Sequence, residues 1–593
     1  MANAGSMLIG SASIHAPAVI IKTNEGTLTT ILLNVTIGNG NVSIRGPEFV
    51  GNSTLNSALE GAMYAAKYLN VNFSHYNFTY YMNNDTNVSG PSAGGAMTLL
   101  AISALSNKPL KNNFTMTGTI NANGSIGEIG GVYDKASAAK KAGMKFILVP
   151  AVPHSSSEAE LYYLVQTAFD IPLIQVSNVS QALMYALNSS KINPYASESN
   201  YTFYTNYDVG SIPNASLECS NNCSSGIFWN LTLYTINLTA RQINELQGNS
   251  NFKGVSSQLL KVLNQSRAIA SKGYWYTGAD FAFLDYINAF YFSNYNTNIT
   301  IGMNTLQSIK GMCDSLNAPQ ITNTNYEYVL AGELRQLWAN STINATITLY
   351  NLTSTDTDGV LRNIYSGAEA MGWCSASSYL YNKSQALNGT PIEFSSSLKN
   401  TALAAIKKAS KYDNFYLITA EQAYNNSNYA LALIDASYAY ALYTETSNMT
   451  TSQLLNATEE LTANATYGIW ATQYANEARF YASEAYLNKD NATLSEHYAS
   501  EAYSIALLSN MISNDTHTIY TSMKEVPYTP GEIETMHEIN TLENGVKSLR
   551  EELSIALAAE VIVIALFTVI IILLLLQLNK QKGHKISHLK SKK

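Results

Sequence analysis

With 593 residues the chain has sequence enough for two or more domains with sizeable cores. Its formal net charge is −8 and only 13% of its residues are charged, which excludes the basic surface of a nucleic-acid-binding protein. Uncharged polar residues take the place of the charged ones: 62 Asn, 110 Ser plus Thr, and 40 Tyr.

In chain order, the first predicted elements are a strand over Thr29-Thr30-Ile31-Leu32-Leu33-Asn34-Val35 and a helix from Leu55 to Tyr68. Next comes Gly90-Pro91-Ser92-Ala93-Gly94-Gly95, followed by the apolar, helix-prone run Ala96-Met97-Thr98-Leu99-Leu100-Ala101-Ile102. A serine at a turn entering a helix has its hydroxyl clear of the backbone, and the helix N-terminus favours developing negative charge. Met116-Thr117-Gly118 comes after it, and then Gly130-Gly131-Val132-Tyr133-Asp134-Lys135. A helix-prone stretch, Ala136 to Gly143, leads from there into the predicted strand Phe146-Ile147-Leu148-Val149-Pro150. Asp170-Ile171-Pro172-Leu173-Ile174 and a helix from Val179 to Leu187 complete this half.

A nucleophilic serine needs a base. His15, His75 and His154 have no motif around them. A lysine serves instead where burial lowers its pKa from about 10.4 toward neutrality.

Three ordered segments, Gly90-Pro91-Ser92-Ala93-Gly94, Met116-Thr117-Gly118 and Gly130-Gly131-Val132 with Lys135, resemble the proteolytic domain of the Lon proteases. The separation of Ser92 and Lys135, 135 − 92 = 43 residues, is also similar to that family's. The resemblance runs from about Ser11 to about Asn188. It implies an α+β Lon-type fold (like ribosomal protein S5 domain 2) over residues 8–190 and a Ser-Lys catalytic dyad. Carried over residue by residue, Ser92 is the expected nucleophile, Lys135 the general base and Thr117 the hydroxyl that orients the lysine amine. Gly90, Pro91, Ala93 and Gly94 form the expected nucleophile turn, with backbone amides there for the oxyanion. The family usually has an acidic residue just before Gly-Pro-Ser, where this chain has Ser89.

Lon enzymes carry an ATPase module ahead of this domain. Here about ten residues precede the similar region, and no Gly-x-x-x-x-Gly-Lys-[Ser/Thr] phosphate loop occurs in the 593 residues. Gly46-Pro47-Glu48-Phe49-Val50-Gly51 lacks the lysine. The expectation is proteolysis without ATP and without a metal or other cofactor.

After a linker (191–226), residues 227–525 read as all-helical, rich in Ala, Tyr, Leu and Ser at helical spacing. Predicted helices include Gln258–Ala270, Ala279–Phe290, Tyr328–Trp338, Leu398–Ala409, Ala430–Tyr443 and Ala471–Tyr486. Pairs such as Glu421-Gln422-Ala423-Tyr424 with Tyr429-Ala430-Leu431-Ala432 are similar to tetratricopeptide-type helix hairpins, but their irregular period favours a plain bundle. Cys219, Cys223, Cys313 and Cys374 are disulfide candidates with three pairings open. Cys219–Cys223 with Cys313–Cys374 is the preferred set, and metal binding is disfavoured because no histidine accompanies Cys219 and Cys223.

Ile539, Leu542, Val546, Leu549 and Leu553 form a short heptad seam in a stalk over 526–554. Ile555 to Leu578 is almost wholly apolar and, at 24 residues, long enough to span about 30 Å of hydrocarbon. In the tail at 579–593, Lys580, Lys582, Lys585, Lys590, Lys592 and Lys593 follow with no acid among them, which places the tail in the cytoplasm and the preceding residues outside. The chain has 29 Asn-x-[Ser/Thr] sequons, where composition alone gives about 11 or 12, consistent with glycan acceptors on an exported surface such as Asn77, Asn237, Asn344 and Asn456; those inside the catalytic domain, such as Asn113 and Asn123, need not all be used. No complete signal peptide is visible, and Ala2-Asn3-Ala4 looks like the end of a cleaved one or follows a misassigned start.

The combined expectation is a membrane-anchored, extracytoplasmic, ATP-independent Lon-like serine endopeptidase acting on polypeptides. Resemblance to archaeal Lon-like proteases makes it an archaeal cell-surface protein. The alternative is a surface binding or structural protein that keeps the Lon-like fold as a scaffold, with limited or self-directed proteolysis. Homo-oligomers through the protease domain or the stalk fit either reading.

Overall fold

The first third of the chain builds one mixed sheet. A computed structural model describes residues 7–526 except 21–24, 47–49, 83–89, 153–156, 188–206, 208, 216–224, 296–298, 354–356 and 466. Its strands are β1 (Leu8–Ile20), β2 (Glu25–Ile37), β3 (Val42–Arg45), β4 (Tyr76–Met82), β5 (Phe114–Met116), β6 (Thr119–Ile120), β7 (Ile126–Gly127), β8 (Phe146–Pro150) and β9 (Leu173–Val176). Seven of them form a sheet in the order β3-β4-β2-β1-β5-β8-β9, while β6 and β7 make a small separate ribbon. β1 and β2 pair antiparallel along their length, with Ile14 opposite Ile31. β1–β5, β5–β8 and β8–β9 are parallel.

The helices here are α1 (Asn52–Tyr68), α2 (Gly94–Ser106), α3 (Val132–Lys141), α4 (Ser157–Phe169) and α5 (Val179–Ala186). Side chains alternate along a strand, so a sheet with both faces covered feeds two cores. β8 shows this directly. Phe146 and Leu148 join a cluster with α1, α2 and α5, and Ile147 and Val149 join another with α3 and α4. α2 is buried along almost its whole length from Gly94 to Ala104, so it is an all-round apolar helix rather than a striped one. α1 approaches it closely: a Cβ built on Gly61 would lie 2.8 Å from Thr98 Oγ1.

The second half is helical: α6 (Ser225–Gln247), α7 (Lys253–Ser271), α8 (Trp275–Ser293), α9 (Ile299–Asp314), α10 (Tyr326–Thr353), α11 (Thr357–Ser384), α12 (Leu398–Ala409), α13 (Phe415–Asn425), α14 (Tyr429–Ala441), α15 (Thr451–Asn464), α16 (Ile469–Leu487) and α17 (Ala492–Ser522). Asparagine caps several of these, with Asn414, Asn428 and Asn491 each accepting from the third backbone amide beyond. The second core is continuous from α3 and α4 through these helices to Ile519. It also takes in Tyr207 and Ile212 from the predicted linker. The described residues up to Lys524 form one compact unit.

Cys313 of α9 and Cys374 of α11 are joined in a disulfide, with Cα atoms 5.4 Å apart. Cys219 and Cys223, the stalk seam, the apolar stretch Ile555–Leu578 and the lysine tail lie outside the described residues. No helix among the described residues is long and apolar enough to cross a membrane. Among the described residues the buried asparagines are Asn288, Asn325, Asn363, Asn414 and Asn476, none of them in a sequon. The sequon asparagines whose burial is described are all exposed or half-buried.

Candidate active site

Three chain segments converge where β5 ends. Ser92 sits in the turn that enters α2, Thr117 directly follows β5, and Lys135 lies one turn into α3. Lys135 Nζ donates to Ser92 Oγ at 3.1 Å. The lysine side chain is wholly buried, and Ser92 is half-buried. Burial of a four-carbon stem with its amine next to a hydroxyl is unusual for lysine, which is normally solvated.

The serine turn is fixed from two sides. On one side, Gly118 N–H donates to the Ser92 carbonyl at 2.7 Å, and the buried Thr117 hydroxyl donates to the same carbonyl at 3.4 Å. Gly95 N–H returns a bond to the Gly118 carbonyl at 2.9 Å. The approach is so close that a Cβ on Gly95 would meet Met116 Cε at 2.5 Å. On the other side, the start of α1 presents three hydroxyls to the turn. Thr54 Oγ1 donates to the Gly90 carbonyl (2.9 Å), Ser57 Oγ donates to the Pro91 carbonyl (3.3 Å), and Ser53 Oγ accepts from Gly90 N–H (3.2 Å). Sequence reasoning missed these supports. Asn52-Ser53-Thr54 reads as a helix start, but its pattern does not say which loop it holds.

Of the expected oxyanion residues, Pro91 has no N–H and Gly94 spends its amide on the Pro91 carbonyl at 3.0 Å. The Ala93 amide has no acceptor among the described residues and stands at the N-terminal end of α2. It is therefore an available donor of the turn, where the helix dipole adds to its pull on an anion. Ser89, the departure from the family pattern, lies outside the described residues.

α3 begins at Gly131, whose φ of +62° is the left-handed conformation that glycine adopts without strain. Lys135 N–H closes the first helical turn on the Gly131 carbonyl at 3.1 Å. The two residues before the lysine face the helical half of the protein. Tyr133 donates from its hydroxyl to the Asn251 carbonyl at 2.6 Å, and Asp134 Oδ2 accepts from Tyr295 at 2.9 Å. Burial, reinforced by the Asp134 charge, pushes the Tyr133 phenol above its usual pKa. Among the described residues no cluster of His, Cys, Asp and Glu could hold a metal ion.

Residues 57–189 match the Lon protease (S16) C-terminal proteolytic domain. The chain is 36% identical over 103 residues to the Lon protease of Neorickettsia sennetsu, covering 17% of this chain and 12% of that protein. It is 29% identical over 178 residues to the Lon protease of Clostridioides difficile, covering 28% of this chain and 22% of that protein. It is 31% identical over 140 residues to Lon protease 2 of Bacillus subtilis, covering 21% of this chain and 25% of that protein. The chain therefore spans no more than a quarter of the length of these relatives. Residues 57–189 of this chain are accordingly a proteolytic domain of the Lon (S16) type, a serine-peptidase hydrolase fold.

Proposed function

We propose that this protein is an ATP-independent serine endopeptidase with a Ser92–Lys135 dyad. The observation that carries the proposal is the 3.1 Å contact between Lys135 Nζ and Ser92 Oγ, made by a buried lysine. Free amine at Lys135 takes the Ser92 proton as Oγ bonds to the scissile carbonyl carbon. The carbonyl oxygen becomes an oxyanion facing the Ala93 amide. Collapse breaks the C–N bond, and the Lys135 ammonium gives its proton to the leaving amine. Water, deprotonated by the free amine, then hydrolyses the acyl ester and restores Ser92. Thr117 holds the Ser92 backbone still while its side chain reacts.

Independence from ATP is supported by the lack of a phosphate-loop motif in this sequence. A membrane anchor at Ile555–Leu578, with the protease outside the cytoplasm, is supported by the apolar run, the acid-free lysine tail and the sequon excess. The absence of sequon asparagines from the core among the described residues agrees with that reading. In this proposal the substrates are polypeptides outside the cytoplasm, and the archaeal cell surface is the setting. The deciding experiment is incubation of the chain with an unfolded polypeptide, with and without ATP, beside Ser92→Ala. Cutting by the wild type alone, unchanged by nucleotide, supports the proposal; equal cutting by Ser92→Ala sinks it.

A further inference from the structure

The two members of the dyad are carried by different cores. α2 follows Ser92 and packs Ala96, Met97, Leu99 and Leu100 into the cluster shared with β1, β2, β4, α1 and α5. α3 bears Lys135 and packs Val132, Ala136 and Ala139 into the other cluster, which continues through the helical half. The distance between Nζ and Oγ is therefore set by how the second core holds α3 against the sheet.

The two residues preceding Lys135 add directional contacts to that hold. The Tyr133 ring is enclosed by Phe169, Phe252, Phe292 and Tyr295, with centroids 4.8, 5.2, 5.6 and 5.8 Å away. All but Phe169 come from the helical half. The Tyr295 hydroxyl, itself buried, makes the 2.9 Å bond to Asp134. Burial raises the Tyr295 phenol well above its ordinary pKa, so it remains a donor throughout the working range. Successive residues point about 100° apart around a helix. Tyr133 and Asp134 thus fix the rotation of α3 from the side facing the helical half, and that rotation sets where Lys135 points.

We propose that Tyr295 is a positioning residue for the dyad, and that through it the helical half of the protein completes the protease by fixing the azimuth of α3. The proposal rests on the Ser92–Lys135 reading. A misplacement of about 1 Å at a reacting group costs on the order of 10²-fold in rate, so loss of one directional bond with the ring packing kept should cost less.

The test compares wild type, Tyr295→Phe, Asp134→Ala (which removes the acceptor) and the double variant in the full chain, at a temperature well below unfolding. Hydrolysis of fluorescently labelled casein gives kcat and KM, and the rate of Ser92 modification by a fluorophosphonate gives a readout that needs no polypeptide substrate. Tyr295→Phe should lower kcat and the labelling rate about tenfold with KM within about twofold. The double variant should be no worse than the poorer single one, because both remove the same bond. A tyrosine that only stabilised the fold would lower the unfolding midpoint and leave both rates unchanged. That result, or losses that multiply in the double variant, overturns the proposal. Ser92→Ala and Lys135→Ala run in parallel keep the two readings apart. If those are inactive while Tyr295→Phe is normal, only the positioning role fails. If either stays active, or the wild type neither cuts nor labels, the dyad reading fails too.

Discussion

Glu160 of α4 and Asp285 of α8 meet as two carboxyl groups inside the protein, each wholly buried. Asn288 Nδ2 donates to Glu160 Oε2 at 3.2 Å, but neither oxygen of Asp285 has a donor among the described residues. Two carboxylates cannot face each other in a dry interior unless a proton lies between them. Burial pushes Glu160 up to about 8, and burial together with the Glu160 charge raises Asp285 well above its ordinary value, with Arg267 opposing.

The fold should therefore be more stable in mild acid than in mild base. Burial also lifts Asp435 to about 8 and Glu327, Glu501 and Asp515 to about 7. In the unfolded chain these groups titrate near 4. Between about pH 4 and about pH 8 the folded protein keeps protons that the unfolded chain has shed, so stability falls as pH rises. The contribution is complete below about pH 4 and gone above about pH 8. Denaturant midpoints should drop steadily from pH 5 to pH 8.5, and Glu160→Gln, which supplies its own donor to Asp285, should flatten part of that slope. A midpoint that climbs with pH contradicts this assignment.

Ser92→Ala and Lys135→Ala should each abolish peptide hydrolysis with the circular dichroism spectrum and unfolding midpoint retained. Lys135→Arg should be equally inactive, because a guanidinium stays protonated and cannot accept the serine proton. Losses in the Ser92/Lys135 double variant should not exceed those of either single one, as for any catalytic unit. Measurable turnover in either alanine variant removes that residue from the mechanism.

Thr54→Val keeps the shape of a wholly buried side chain and removes its 2.9 Å bond to the Gly90 carbonyl. A buried carbonyl left without its donor costs about 1–3 kcal/mol. The larger effect should be on kcat, because the bond anchors the turn two residues before Ser92. Unchanged kcat in a well-folded Thr54→Val protein would show that the turn holds itself.

Reduction of Cys313–Cys374, or Cys313→Ser with Cys374→Ser, should lower stability by about 2–4 kcal/mol, since the bond closes a loop with a sequence separation of 61. Chemical denaturation with and without reductant measures it. Activity at low temperature should survive, because the bond joins α9 and α11, neither of which carries a dyad residue. Loss of activity on reduction before any unfolding would tie the disulfide to the site.

The topology is open to direct measurement on cells. A protease added outside should degrade the chain up to about Leu553 and spare an epitope placed after Lys593. The expectation rests on the apolar run, the acid-free lysine tail and the sequon excess. An epitope after Lys593 that is reached on unbroken cells reverses the orientation.

Local signals were legible to the residue where they were strong. The strand Phe146–Pro150 and the helix Leu398–Ala409 have the bounds that their sequences indicate. Helix ends extended beyond the periodic runs elsewhere, as at α7, which runs Lys253–Ser271 around the expected Gln258–Ala270. β1 was not legible. Its Gly10-Ser11-Ala12-Ser13 stretch is weakly apolar, and Pro17 argues against a strand although it sits opposite Leu28 in the hairpin. The pairing of Ser92 with Lys135 could be read because their motifs, in that order and 43 residues apart, resemble the Lon proteolytic domain. The support of α3 could not, because Tyr295, which packs on Tyr133 and bonds to Asp134, stands 161 residues from Asp134 in sequence, and no local pattern encodes such a contact. The same reason hides the shared core: hydrophobic periodicity shows that a face is buried, not which partner buries it.

The placement of sequon asparagines on the surface has a practical consequence for making this protein. None of the sequon asparagines whose burial is described is buried, so leaving sugar off them would open no cavity. Bare protein from a host that adds no glycans should therefore reach the same fold. With 13% of residues charged, such a preparation has little electrostatic repulsion between molecules, so its handling is governed by colloidal behaviour rather than by folding.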